Sequence, residues 1–218
     1  MIKTILFEIQ EKIWGHRYIL KSFQDEYKFE SSADIGISLA YKINEIISID
    51  AILINGEGYK SVQLDSTYRG GAGITIKPIQ NLILRGYFDY EKKEEPLINF
   101  ATFIGYSNDL ISAGLELNIE KNNKYKKEHN LTGYSAYGSY QVNKWFEVFG
   151  RYDYLTSNKL RGETDPWNTP NDGQLFIAGV EFSPVKGIKL APNYKSWLPS
   201  AEESSLISWI YLSAEINF

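Results

Sequence analysis

The sequence predicts an all-β protein: an antiparallel up-and-down transmembrane β-barrel, with about twelve strands in this chain of 218 residues. Three observations predict it. Most of the chain divides into segments in which apolar and polar residues alternate, the period-two signature of strands with one oily and one wet face. The connections between these segments alternate between tight turns and longer polar loops, which places the turns on one rim and the loops on the other if the strands run in order. The polar faces carry residues too hydrophilic for a dry core, since each unpaired buried charge costs several kcal/mol. A wet lumen removes that cost.

Composition bounds the alternatives. Aromatic residues make up 15% of the chain, with 16 Tyr, 11 Phe and 5 Trp against a single Met, which favours strands and interfacial rings over helices. One all-β domain accommodates residues 1–218 without a second. There is no cysteine, so disulfides and thiolate metal sites are excluded. The net charge of −4 and the pI near 5.4 leave no basic footprint for nucleic acid. No run of about 18 apolar residues occurs, which excludes a transmembrane helix, whereas a barrel strand needs only about 9–11 residues with alternate ones apolar. The mean hydropathy of −0.31 is therefore compatible with a membrane. Met1-Ile2-Lys3-Thr4-Ile5-Leu6-Phe7 is interrupted by Glu8 too soon for a secretory signal. The chain reads as a mature or engineered form, or as the carboxy-terminal part of a longer one.

In chain order, Ile2 to Ile9 predicts a strand with Ile5, Phe7 and Ile9 on one face. Residues 10–30 carry charges and aromatics without a clean period, and are long for a bare loop. They read as an external loop, or as a constriction segment folded into the lumen with Trp14, His16 and Arg17 as its candidate residues. From Ala33, Ile35, Ile37, Leu39, Tyr41 and Ile43 alternate with polar or small residues, and Asn44-Glu45 turns the chain into Ile47, Ile49, Ala51 and Leu53. After the loop at 55–59 come Tyr68 to Lys77, a Pro78-Ile79-Gln80 turn, and Leu82 to Tyr90. A charged loop from Glu91 to Pro96 precedes Ile98 to Tyr106, and Ser107-Asn108-Asp109 leads to Ile111 to Glu120, the cleanest amphipathic segment. A lysine-rich loop, Lys121 to Asn130, precedes Tyr134 to Val142, and a short turn precedes Phe146 to Tyr154. The loop from Thr156 to Gly173 is followed by Phe176 to Phe182, a turn at 184–187, a strand over Ile188 to Tyr194, and the terminal strand Ser205 to Phe218.

In that last strand Phe218, Ile216, Ala214, Leu212 and Ile210 share the apolar face, while Glu215, Ser213, Tyr211 and Trp209 share the other. A terminal strand ending on Phe resembles the assembly signal of bacterial outer-membrane barrels, with Tyr211, Ile216 and Phe218 as the residues that the assembly machinery would read. The inward charges Asp50, Arg69, Arg85, Asp89, Glu116, Glu147, Arg151, Asp153 and Glu181 are the candidate pore-lining residues. They could set up a transverse field that sorts solutes. Alternatively Arg85 with Asp89, and Arg151 with Asp153, neutralise each other along their own strands.

Trp14-Gly15-His16-Arg17-Tyr18, Lys21-Ser22-Phe23-Gln24-Asp25, Ser31 to Ser38, Asn55-Gly56-Glu57-Gly58-Tyr59-Lys60 and Phe149 to Tyr154 together resemble runs found in Bacteroidetes-type outer-membrane porins. The resemblance spans most of the chain. It implies a carboxy-terminal portion of a larger porin barrel, because members of that family carry a signal peptide and further strands ahead of this region. The implied function is passive diffusion of small hydrophilic solutes or ions through a channel in the bacterial outer membrane. The implied partners are lipid, the barrel-assembly machinery, the solutes and, as one option, further copies of the chain.

Other chemistry is sparse. Only His16 and His129 supply an imidazole, and no serine spacing singles out a hydrolase site. The loop Asp165 to Asp172 lacks the spaced carboxylates of a calcium loop. No catalytic residue, metal or cofactor is expected. An outer-membrane enzyme of the lipase type and a soluble β-barrel or sandwich binding protein stand as the alternatives.

Overall fold

The computed structural model describes residues 5–58 and 66–217. Two helices, α1 (Ile5–Trp14) and α2 (Phe23–Glu26), precede eleven strands: β1 (Gly36–Lys42), β2 (Ile47–Ile54), β3 (Arg69–Ile76), β4 (Leu82–Lys92), β5 (Pro96–Ser107), β6 (Ile111–Lys121), β7 (Leu131–Gln141), β8 (Phe146–Ser157), β9 (Gly173–Val185), β10 (Ile188–Pro199) and β11 (Ile207–Ile216). They form one sheet whose spatial order is the sequence order, and every neighbouring pair is antiparallel. The up-and-down meander predicted from the alternation is therefore the architecture.

Because neighbours are antiparallel and in order, successive connections lie at opposite ends. Residues 43–46, 77–81, 108–110, 142–145 and 186–187 make one rim, and the connections at 55–68, 122–130, 158–172 and 200–206 make the other. The loop expected from Glu91 to Pro96 shrinks to 93–95, because Glu91 pairs with Leu97 and Lys92 with Pro96 as ladder continues to the rim. The strand expected over Ile188 to Tyr194 likewise extends to Pro199, held by Trp197 against Ile207 and Leu175.

The expected strand from Ile2 to Ile9 does not form. Residues 1–4 lie outside the described part, and from Ile5 the chain is helical. Leu6, Phe7, Gln10, Ile13 and Trp14 are buried, a spacing of one helical face, and Leu6 is the residue that an alternating strand would have placed in water. Glu8 in the first turn and Lys12 in the last complement the helix dipole. Gly15, at φ +70°, ends the helix with its N–H on the Glu11 carbonyl, the left-handed stop that glycine adopts without steric cost. The α2 turn ends similarly: Lys28 takes φ +61° and Phe29 N–H bonds back to the Gln24 carbonyl.

The sheet is inside-out relative to a soluble domain. On β6 Leu115 is 55% exposed, while its neighbour Glu116 is 5% exposed. Ile49, Leu53, Ile74, Phe88, Phe100, Ile104, Tyr134, Phe176 and Val180 join Leu115 on the outer face. A contiguous apolar exterior of this extent is suited to a hydrocarbon surround. Among the described residues β1 pairs with β2 alone and β11 with β10 alone, so each leaves one edge without a ladder. Every residue of β1 is exposed, on both faces. On β11 Tyr211 and Ile216 are exposed on opposite faces, and Phe218 lies outside the described residues.

Leu115 stands mid-strand on the outer face. Leu115→Arg should lower the unfolding free energy in lipid vesicles by about 2–4 kcal/mol in a urea titration, the cost of a cation at the bilayer midplane, where a water-facing strand would show almost none.

Candidate functional site

The inner face of the sheet is covered by the segment 5–35, which precedes β1. Leu6, Ile13, Trp14 and Leu20 pack with Tyr87, Phe103, Tyr137, Phe149 and Ile177 from the strands. Phe23 and Phe29 pack with Leu131 and Leu155 in a second cluster. Each large side chain removed from water in this way contributes roughly 1.5–3 kcal/mol. Polar contacts fix the seating. Gln10 Nε2 donates to Glu116 Oε2 at 2.9 Å, Gln24 Nε2 to Asn118 Oδ1 at 2.8 Å, and Tyr18 Oη to Glu181 Oε2 at 2.9 Å. From the sheet, Ser112 Oγ donates to the Ile13 carbonyl at 2.6 Å and Asn99 Nδ2 to the Phe29 carbonyl at 3.0 Å. Gly133 provides the closest seat: a Cβ there would lie 2.2 Å from the Phe23 ring.

The candidate pore-lining charges all face this interior, and most are paired. Arg85 makes a two-pronged bond to Asp50, at 2.6 and 2.8 Å, and donates to Thr75 Oγ1 at 2.8 Å. The alternative pairing of Arg85 with Asp89 is not made. Tyr87 stands between those two on the same strand face, its ring 5.8 Å from the guanidinium, whereas the route across β3 to Asp50 passes over Gly73. A Cβ at Gly73 would lie 2.3 Å from Arg85 Nη2, so the bridge requires the missing side chain. Arg151 does pair with Asp153, only two residues along, through Nε and Nη2 at 2.8 Å each. Its remaining Nη1 donates to the Lys21 carbonyl at 2.6 Å, and its guanidinium lies 5.2 Å from the Trp14 ring centre. Arg69 sits between Asp89 and Glu91, at 3.4 and 3.5 Å. Glu116 accepts from Tyr137 as well as from Gln10.

The three constriction candidates separate. Trp14 is buried and donates its indole N–H to the Leu20 carbonyl at 2.8 Å. Arg17 is the exposed one, paired with Glu11 and Asp25. His16 is 2% exposed, its ring centre 4.3 Å from that of Phe149 and tilted to it, with Nδ1 bonded to the Trp14 carbonyl at 2.8 Å. Burial lowers its pKa, and because a carbonyl only accepts, Nδ1 carries the proton of that hydrogen bond. Nε2 faces Glu147 and Glu181, at 4.0 and 3.6 Å. His129 lies in the loop at 122–130, half-buried against Trp167, on the Lys127 carbonyl. The hydrogen-bond partners of the two imidazoles among the described residues are these backbone carbonyls.

Toward the long-loop rim the segment leaves a polar cavity of about 960 Å³, lined by Lys21, Asp25, Glu30, Arg69, Lys195 and Trp209 among others. Glu30 is buried at its edge and accepts from Tyr87 Oη at 3.3 Å. Burial first, and the neighbouring Asp89 charge second, push its carboxyl pKa up to about 8 from an ordinary 4.5. Gln10, Gln24, Asn99 and Asn118, which join segment and wall, give no signal of it in the sequence. Amides carry no charge and no period of their own, and only their place on the inner face betrays them.

Two outcomes follow. Asp50→Asn should cost about 3–5 kcal/mol in chemical unfolding by stranding Arg85, while the double change Asp50→Leu with Arg85→Leu should recover most of it. Gly73→Val should behave like Asp50→Asn. Because the folded-state pKa of Glu30 is raised, the protonated form stabilises the fold fully below about pH 4.5, and that contribution is lost as pH rises through about 8. Thermal unfolding between about pH 5 and about pH 9 should therefore show a loss in the native protein that Glu30→Gln lacks.

No protein-family model matches the sequence, and no curated protein matches it either. Among solved structures, the outer membrane channel DcaP of Acinetobacter baumannii aligns with a TM-score of 0.67 at 13% identity, over 85% of this chain and 62% of that one. The NanC porin aligns with a TM-score of 0.47 at 7% identity, over 84% of this chain and 92% of that one. The chain thus spans under two thirds of the length of DcaP. At 13% identity the likeness to that outer membrane channel is one of fold alone, and the fold of this chain is an antiparallel sheet with its strands in sequence order.

Proposed function

We propose that the chain forms wall and constriction of an outer-membrane channel of the porin type, through which small hydrophilic solutes or ions diffuse passively. The observation that carries this reading is the division of faces: apolar side chains outside, and inside a charged surface on which an infolded segment leaves a polar cavity of about 960 Å³. A soluble binding protein has no use for so extensive an oily exterior. The DcaP likeness supports the same reading at the level of fold. The finer assignment to the Bacteroidetes-type porins rests on the runs Trp14 to Tyr18, Lys21 to Asp25, Ser31 to Ser38, Asn55 to Lys60 and Phe149 to Tyr154, and on the terminal strand.

In a bilayer the free edges of β1 and β11 require partners, because unpaired backbone groups find no water there. The proposed arrangement places further strands between these two edges. That would widen the lumen beyond what eleven strands and the segment 5–35 fill, and open a path along Arg17 and the cavity. The charges of the wall and of the infolded segment then act at two ranges. Arg85 with Asp50 and Arg151 with Asp153 act as fixed dipoles, while exposed Arg17 is the cation that a permeating solute meets. Lipid and the assembly machinery, reading β11 through Tyr211, Ile216 and Phe218, are the corresponding partners.

The full-length protein reconstituted in planar bilayers should give discrete conductance steps. Arg17→Glu should shift the reversal potential in a salt gradient toward cation preference, and removal of residues 10–30 should raise single-channel conductance severalfold. A heat-modifiable, membrane-inserted protein without conductance would refute the channel reading.

A further inference from the structure

Glu147 on β8 and Glu181 on β9 are directly opposite each other in the ladder, both on the inner face. Like charges at directly opposed positions repel, and the low dielectric of a covered face strengthens the effect. Glu181 is the better compensated of the two. It accepts from Tyr18 Oη at 2.9 Å and Ser183 Oγ at 3.0 Å, and Lys189 Nζ reaches it at 3.2 Å. Glu147 is 21% exposed and meets only the imidazole edge among its described polar contacts.

The third group is His16, delivered to this spot by the backbone stop at Gly15. Its Nδ1 is committed to the Trp14 carbonyl, and Nε2 is buried, has no hydrogen-bond partner and points at the two carboxylates. A backbone carbonyl on one imidazole nitrogen, orienting the other, is the usual support of a metal-ligating histidine. One atom from each of the three side chains lies within 4.8 Å of the other two. Ligands of a tetrahedral zinc site with bonds of about 2.0–2.2 Å sit about 3.4 Å apart. The 3.6 and 4.0 Å separations from Nε2 therefore close onto an ion with small side-chain adjustments.

We propose that His16, Glu147 and Glu181 bind one divalent cation of the zinc class, clasping the infolded segment to β8 and β9. One imidazole and two carboxylates suit zinc, cobalt or nickel, and leave a fourth position open to water. The site lies near the tight-turn rim, beside the connections at 142–145 and 186–187, and the partly exposed Glu147 is its door. Lys189 serves as the counter-charge of the ion-free state and can turn to Glu215, 4.0 Å away, when an ion enters.

The test is titration of the full-length, detergent-folded protein with cobalt(II) chloride, followed by visible absorption, and with zinc chloride, followed by calorimetry. The expected result is one saturable site of low coordination number that His16→Gln and Glu147→Gln each weaken at least tenfold, that His129→Ala leaves unchanged, and that Lys189→Met tightens. Glu147→Gln keeps its size at a partly exposed position, so it separates loss of a ligand from loss of fold. Absence of saturable binding in the native protein, or binding unaffected by Glu147→Gln, or binding abolished by His129→Ala, would each overturn the proposal. None of these readouts depends on conductance.

Discussion

A wall of eleven strands spans more width than its own side chains can fill, and its inner surface is too charged to be left dry and unpartnered. The rest of the structure depends on how the segment 5–35 meets that constraint. It supplies hydrocarbon where the wall has Tyr87, Phe103, Tyr137 and Phe149, and it supplies amides, a hydroxyl and carbonyls where the wall has Glu116, Asn118, Glu181 and Arg151. An apolar plug alone would strand those polar groups at a cost of several kcal/mol for each charge. The mixed character of the segment, which gives it no clean period in the sequence, is what the mixed surface of the wall demands.

Glycine decides where this contact can be close. Gly73 lets a guanidinium cross a whole strand to reach its carboxylate, and Gly133 lets the Phe23 ring lie against the backbone of β7. Both are inner-face positions of strands, where a side chain would otherwise fill the space. The price is local stiffness of the sheet, recovered through the ion pair in one case and through aromatic packing in the other. Ion pairs such as Arg85–Asp50 and Arg151–Asp153 line the interior, the polar cavity lies toward the long-loop rim, and the cluster of His16, Glu147 and Glu181 lies toward the tight-turn rim.

Most of the wall was legible in the sequence, because a strand with oil on one side and charge on the other has to alternate. Leu115 and Glu116 could be assigned to opposite faces before any neighbour was known. The edge cases were misread for identifiable reasons. Ile5, Phe7 and Ile9 fit a strand as well as a helix over so short a stretch, and only Leu6, Ile13 and Trp14 together favour the helical face that the wall buries. The Arg151–Asp153 pair was visible because two residues along a strand bring side chains together. The Arg85–Asp50 pair was not, because it spans 35 residues and depends on what stands between.

By itself the sequence determined the class of protein: strands in order, turns on one rim, longer loops on most of the other, charge inside and oil outside. Those properties follow from local alternation, which holds whatever the strands pair with. Tertiary structure alone decided that residues 5–14 are a helix, that the segment 5–35 fills the interior, which charges neutralise which, and that His16 meets Glu147 and Glu181 across 131 and 165 positions of chain. These are contacts between residues far apart in sequence, selected by which side chains the sheet and the segment on its inner face bring within bonding distance, and no local pattern carries that information.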